Sequence, residues 1–256
     1  MDTKLKNRVV LVTGSSSGVG EKIASAFEAE GARVITNGRN ARVIGVRHDF
    51  QQADITNRQN VADMFEAIAQ KVGHLDVLVN NAGGLETFGK MEQLTDEDWQ
   101  RTFDLNCLGA MRCSREALRL LAESDQPRIV NIASMSAISV GQFNHHYGAA
   151  KAALKHLGKS LSVSFAPYGV LVNTVCPSTL DEGEWYQNIA DRAKRETISP
   201  QEAETRMRKE ECAKSPLGKM GTAQDVASLV VFLASGVNQF ITGQCICVDG
   251  GGSRTV

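Results

Sequence analysis

The chain has 256 residues, 42% of them apolar, a net charge of −1 and a pI of about 6.5. That length holds one large domain with a sizeable core, and the composition excludes a disordered chain. The balanced charge gives no electrostatic argument for nucleic acid or an anionic membrane, so neither is expected as a partner. The N-terminus, MDTKLKNRVVLVTG, has no long apolar stretch before a cleavage site, and runs such as ASLVVFLA are far too short to span a bilayer. Six cysteines without a C-x-x-C pair read as reduced thiols of a cytoplasmic protein rather than a disulfide frame or a metal site.

Arg8 to Val12 is a β-branched apolar run followed at once by TGSSSGVG. Thr13, Gly14, Gly18 and Gly20 form T-G-x-x-x-G-x-G, and a helical pattern follows with Ile23, Ala26 and Phe27 on one side. Strand, glycine turn and helix place a pyrophosphate at a helix N-terminus. There, N–H groups and the helix dipole favour anions, and missing Cβ atoms let the backbone approach. A plain Gly/Ser turn is the alternative. Gly31 ends the helix, and ARVITNGRN supplies a second strand and its exit. An acidic residue normally ends this strand and receives the adenosine ribose hydroxyls. Asn37, Gly38 and Arg39 occupy that end here. Gly38 leaves space and the Arg39 guanidinium suits a 2′-phosphate, so NADP(H) is favoured over NAD(H). A solvated surface arginine is the other reading.

The stretch from Arg39 to Asp54 is too short for a full crossover helix and a strand. A reduced loop or very short element is expected, then a strand ending near Asp54. Residues 57–72 place Val61, Met64, Phe65, Ile68 and Val72 at helical spacing. LDVLVN is the next buried strand and ends in NNAGG, where the Asn80 and Asn81 amides can tie adjacent strands and Ala82-Gly83 leave room for a ligand. Thr95 to Asp98 opens a long helix through about Ala122. Asn106 lies inside it, where asparagine is mildly unfavourable. It is either an exposed position or an amide that holds a water or kinks the helix.

RIVNIAS reads as a buried strand ending at Ser134, thirteen residues before Tyr147. Tyr147 and Lys151 stand four apart at the start of an Ala-rich segment and share one face if it is helical. The ammonium then favours phenolate and lowers a tyrosine pKa from its usual value of about 10, which suits proton exchange with a substrate oxygen. Alone, such a pair is more often a half-buried ring beside a solvated amine. Gln142, Phe143, Asn144, His145 and His146 are expected at the pocket mouth. GVLVNTVCP is a further strand ended by Pro177. Residues 178–219 are polar and partly helical, a candidate substrate lid or a solvated helical pair. Thr222 caps a last helix, and ITGQCICVDGG supplies a last strand. The alternation predicts a single α/β domain, a Rossmann-like doubly wound parallel sheet with helices on both faces.

Together these motifs resemble the short-chain dehydrogenase/reductase family over nearly the whole length, in a 3-oxoacyl-acyl-carrier-protein reductase-like form. The resemblance rests on TGSSSGVG, Asp54, NNAG, Asn106, Ser134, the YxxxK pair, NTVCP and the C-terminal ITGQCICVDGG. It implies that Tyr147 is the general acid or base, that Lys151 tunes it and binds the nicotinamide ribose, that Ser134 holds the substrate carbonyl, and that Asn106 holds a relay water. The implied cofactor contacts are Gly14, Ser16, Ser17, Gly18, Val19, Gly20, Arg39, Asp54, Ile55, Asn81, Ala82, Gly83, Tyr147, Lys151, Pro177 and Leu180. Many relatives are tetramers, so a homotetramer or homodimer is expected, acting on a small-molecule ketone or alcohol. Two features depart from the family. Pro177-Ser178 stands for Pro-Gly, with Glu182 where a threonine would touch the nicotinamide, and the segment 40–53 is shortened. A non-catalytic nucleotide-binding regulator, or a lyase or epimerase on the same fold, stays open.

Overall fold

A computed structural model describes residues 2–40 and 49–254. The strands are β1 (Val9–Val12), β2 (Arg33–Gly38), β3 (Asp49–Gln52), β4 (Val77–Asn80), β5 (Arg128–Ile132), β6 (Leu171–Pro177) and β7 (Cys245–Val248). They form one parallel sheet in the order β3-β2-β1-β4-β5-β6-β7. The helices are α1 (Gly18–Ala29), α2 (Arg58–Val72), α3 (Asp96–Phe103), α4 (Gly109–Leu121), α5 (His145–Ser164), α6 (Glu184–Glu196), α7 (Pro200–Lys214) and α8 (Ala223–Ala234).

The unbroken apolar runs follow from helices on both faces of the sheet. Val10 and Val12 of β1 point into a core shared with α1 and α8. Val9 and Leu11 point into another, shared with α2 and α4. A strand buried on both sides cannot alternate apolar with polar residues. The strand order reverses between β1 and β4. A crevice opens at that switch point, beyond the carboxyl ends of the strands.

The expected short element before Asp54 includes β3, which pairs with β2 and ends at Gln52. The rest of that stretch, 41–48, lies outside the described residues. The long helix expected through Ala122 is interrupted. Asp104–Leu108 is a π turn, in which the Gly109 N–H bonds to Asp104 O, five residues back. The wider turn has a visible cause, since Asn106 competes for the backbone and its Nδ2 donates to Thr102 O at 3.0 Å.

Candidate active site

The glycine turn brings backbone close to its neighbours at Gly14 and Gly20. Gly14 and Gly18 have φ of 61° and 58°. A Cβ at Gly14 would lie 2.6 Å from Ala82 Cα, and one at Gly20 would run into the Asn81 amide and Gly14 O. Asn81 in turn donates to both Thr13 O and Gly14 O at 3.0 Å. NNAG therefore braces the turn from behind. Asn80 ties the sheet to α4, donating to Asn131 Oδ1 and Ser114 Oγ, each at 2.9 Å. The side-chain ties expected of both asparagines are present.

A cavity of about 1360 Å³ runs from this turn along the strand ends. Ser17, Gly18, Val19, Asn81 and Gly83 line one end, Ser134, Tyr147 and Lys151 a wall, and Pro177, Leu180 and Glu182 the other side. Lys151 is 3% exposed, and its Nζ donates to Ile132 O at 3.0 Å and lies 5.7 Å from the Tyr147 ring centroid. Ser134 lies two residues beyond the end of β5 and caps a short 3₁₀ turn, Met135–Ala137, accepting from Ser136 N at 3.1 Å. A Cβ at Gly148 would stand 3.0 Å from Ser136 O, so glycine lets α5 close on that turn. Ser134 and Tyr147 thereby reach the same wall. Asn106 lies behind it. A Cβ on Gly83 would come 2.7 Å from Asn106 Oδ1 and 2.9 Å from Lys151 Nζ, so the two polar groups converge on a bare glycine.

A second depression of about 730 Å³ continues past the end of β2, lined by Arg39, Asp54 and Gln52 among others. The residues expected at the cofactor thus fall mostly into these two spaces. Ala82 backs the turn. Ile55 turns away: it is buried, and a Cβ on Gly109 would strike its side chain. Ser16 fills the space expected beside Gly38, where a Cβ would meet Ser16 Oγ at 3.3 Å and the Phe50 ring at 3.5 Å. Gly38 therefore leaves less room than its lack of a side chain suggests. Arg39 is exposed and paired with Glu86 at 3.5 Å.

His146 departs from its expected place at the pocket mouth. It is buried against Trp99 at 6.1 Å, and burial pushes its pKa below the usual imidazole value. One residue per 100° of helix turns it inward while His145 faces the cavity. Glu182 lines the cavity, and its Oε1 accepts from Ala223 N at 3.3 Å, tying the segment after β6 to the start of α8. Sequence spacing gives no sign of the aromatic pair at the mouth. Phe143 stacks on Phe88 at 5.0 Å, and Arg195 of α6 lies 5.1 Å over Phe88.

A family model described as Enoyl-(Acyl carrier protein) reductase matches residues 14–253. The chain belongs to the short-chain dehydrogenase/reductase family. Galactitol 2-dehydrogenase of Agrobacterium fabrum is 32% identical, with 97% of this chain and 98% of that protein covered. The ligand-free aldohexose dehydrogenase of Thermoplasma acidophilum superposes with a TM-score of 0.90 at 35% identity, covering 99% of this chain and 97% of that one. L-sorbose reductase of Gluconobacter frateurii, solved with NADPH and L-sorbose, gives a TM-score of 0.92 at 25% identity over 100% of both chains. A short-chain dehydrogenase/reductase with such relatives is an oxidoreductase of alcohols and ketones. Its family binds NAD(P). Among the described residues no helix is long and apolar enough to cross a membrane, and no group of side chains is placed to hold a metal ion.

Proposed function

We propose that this short-chain dehydrogenase/reductase reduces a polar ketone with NADP(H), or oxidises the matching secondary alcohol, with Tyr147 as general acid or base. The observation that carries the reading is the shared cavity wall of Ser134, Tyr147 and Lys151 facing the glycine turn. Gly14, Ser17, Gly18, Val19 and Gly20 would hold the pyrophosphate, Pro177 and Leu180 would border the nicotinamide, and Asp54 and Arg39 would flank the adenosine. When bound, the cofactor supplies or accepts the hydride. Tyr147 gives its phenolic proton to the carbonyl oxygen in reduction and takes it back in oxidation. Lys151 stabilises the phenolate by its positive charge. Ser134 donates to the same oxygen and orients it. Asn106, its amide directed at Gly83 and Gly84, holds the backbone beside Lys151 and is the candidate anchor of a relay water.

His145, Asn188, Ser136 and Ser139 line the cavity and suit a hydroxylated substrate, in keeping with relatives named for galactitol, aldohexose and L-sorbose. Segment 178–219, built around α6 and α7, acts as the lid. A cytoplasmic homotetramer or homodimer fits the six free cysteines and the exposure of Leu108 and of Val163 on α5. The test is NADPH oxidation against ketoses, other ketones and β-ketoacyl thioesters, with NADP⁺ reduction against polyols. Turnover only with thioesters refutes the hydroxylated substrate. No turnover with any panel member, despite measurable cofactor binding, favours the regulatory reading.

A further inference from the structure

Tyr147 stands in the first turn of α5, where a helix is least held by its own hydrogen bonds. Lys151, one turn further on, is buried and fixed to Ile132 O. The relation between them depends on what holds the helix start. That start is Asn144, in the left-handed region with φ 59° and ψ 40°, a conformation asparagine tolerates better than most residues. Its side chain makes no cap to the helix N–H groups. The amide is used elsewhere: Oδ1 accepts from Gly89 N at 3.1 Å, while Asn144 N donates to Gly89 O at 2.9 Å. Its carbonyl then accepts from Tyr147 N at 3.0 Å and Gly148 N at 3.2 Å.

The far end of the segment from Gly84 to Gly89 is held in the same manner. Asn106 Oδ1 accepts from Gly84 N at 3.0 Å and Asn106 Nδ2 donates to Gly84 O at 2.9 Å. Two asparagines thus grip one short segment at its two ends, one from the π turn and one from the helix that carries Tyr147. Phe88 within it stacks on Phe143, next to Asn144.

We infer that Asn144 is a positioning residue for Tyr147: its two-point grip on Gly89 fixes the first turn of α5, and so the approach of the phenol to the Lys151 ammonium. This rests on the reading of Tyr147 as the acid or base. Without the grip the first turn frays, the phenol moves from the ammonium, and its proton is held more tightly.

Asn144→Gly keeps the left-handed backbone and removes only the side-chain acceptor. Asn144→Asp keeps the acceptor. Both are compared with wild type and Tyr147→Phe, using a substrate from the screen above. Asn144→Gly is expected to lower kcat on the order of tenfold, to leave cofactor Kd within about twofold, and to move the pH–rate profile upward. Asn144→Asp is expected to restore kcat, while its negative charge by itself disfavours phenolate, so the pH profile is compared only between Asn144→Gly and wild type. A readout without substrate is the alkaline absorbance titration of Tyr147, isolated from the other two of the three tyrosines by subtracting Tyr147→Phe. It should also move upward in Asn144→Gly relative to wild type. A wild-type kcat and pH profile in Asn144→Gly overturns the inference, as does an equal loss in both variants at unchanged pH dependence. Should Tyr147→Phe itself turn over like wild type, the catalytic reading fails. An inactive Tyr147→Phe beside an unaltered Asn144→Gly refutes the positioning role alone.

Discussion

Lys151 is held between sheet and phenol, its Nζ donating to Ile132 O at 3.0 Å while lying 5.7 Å from the centre of the Tyr147 ring. The carbonyl at the end of β5 fixes a buried ammonium that a flexible lysine chain would otherwise leave to wander. The charge is therefore delivered at a set place rather than averaged over rotamers.

Removing the phenolic proton should abolish catalysis and spare binding. Tyr147→Phe keeps the ring and is expected to lose at least about 10²-fold in kcat, with cofactor Kd nearly unchanged. Lys151→Met should shift the pH–rate profile upward at saturating cofactor. Steady-state rates across pH check both, and a Tyr147→Phe variant within a few-fold of wild type removes Tyr147 from the role.

Cofactor choice should depend on the Arg39–Glu86 pair. Glu86 competes with a 2′-phosphate for the guanidinium, which is 60% exposed. A charge-assisted hydrogen bond is worth about 1.5–3 kcal/mol and less at such a surface, so Arg39→Ala should cost NADPH affinity roughly three- to thirtyfold. Glu86→Gln should strengthen NADPH binding and leave NADH alone. Fluorescence titration of both cofactors at one ionic strength decides. Gly38→Asp, the obvious route toward NAD(H), should be made with Ser16→Gly, because the new Cβ would stand only 3.3 Å from Ser16 Cβ and Oγ.

Acid should loosen the segment beside the active site. Hydrogen bonds from Thr95 N, Thr87 Oγ1 and Thr95 Oγ1 hold the Asp98 carboxyl down at about 2. The folded value lies below the usual one near 4, so this stabilisation is complete above about pH 4 and is lost as pH falls toward 2. Asp98→Asn should melt lower than wild type at neutral pH, and the two curves of Tm against pH should converge near the acid limit. A constant gap across that range would show that the carboxylate charge contributes nothing.

Cys245 should react first among the six cysteines. A hydrogen bond with Cys176 across 3.3 Å, aided by Lys155, holds its thiol below the usual value, while the same contact and then burial raise Cys176. Iodoacetamide alkylation, followed by mass spectrometry, should label Cys245 with a midpoint below the usual thiol value. Cys176→Ala should move that midpoint upward.

Motif order carried the sheet, the glycine turn and the placement of Ser134, Tyr147 and Lys151, because each depends on local spacing. Periodicity could not show the π turn, because the eight residues of α3 before it carry too few apolar positions to fix a phase against α4. Nor could it place His146, which faces inward because the start of α5 turns it onto Trp99. The Phe88–Phe143 and Arg39–Glu86 contacts join residues 55 and 47 positions apart, where no sequence period reaches.

The π turn also restricts how this chain can change length. A helix advances about 100° per residue, and the extra residue within Asp104–Leu108 sets the rotational phase between α3 and α4. Deleting one residue there would regularise the hydrogen bonding. It would also swing Trp99 and Thr102 of α3 about a quarter-turn relative to Ala117 and Leu121 of α4, taking Asn106 off Gly84. Single-residue deletions, tolerated in the surface connections between most elements, should therefore be lost from these five positions in any library selected for turnover, and a compensating insertion next to the deletion should restore it.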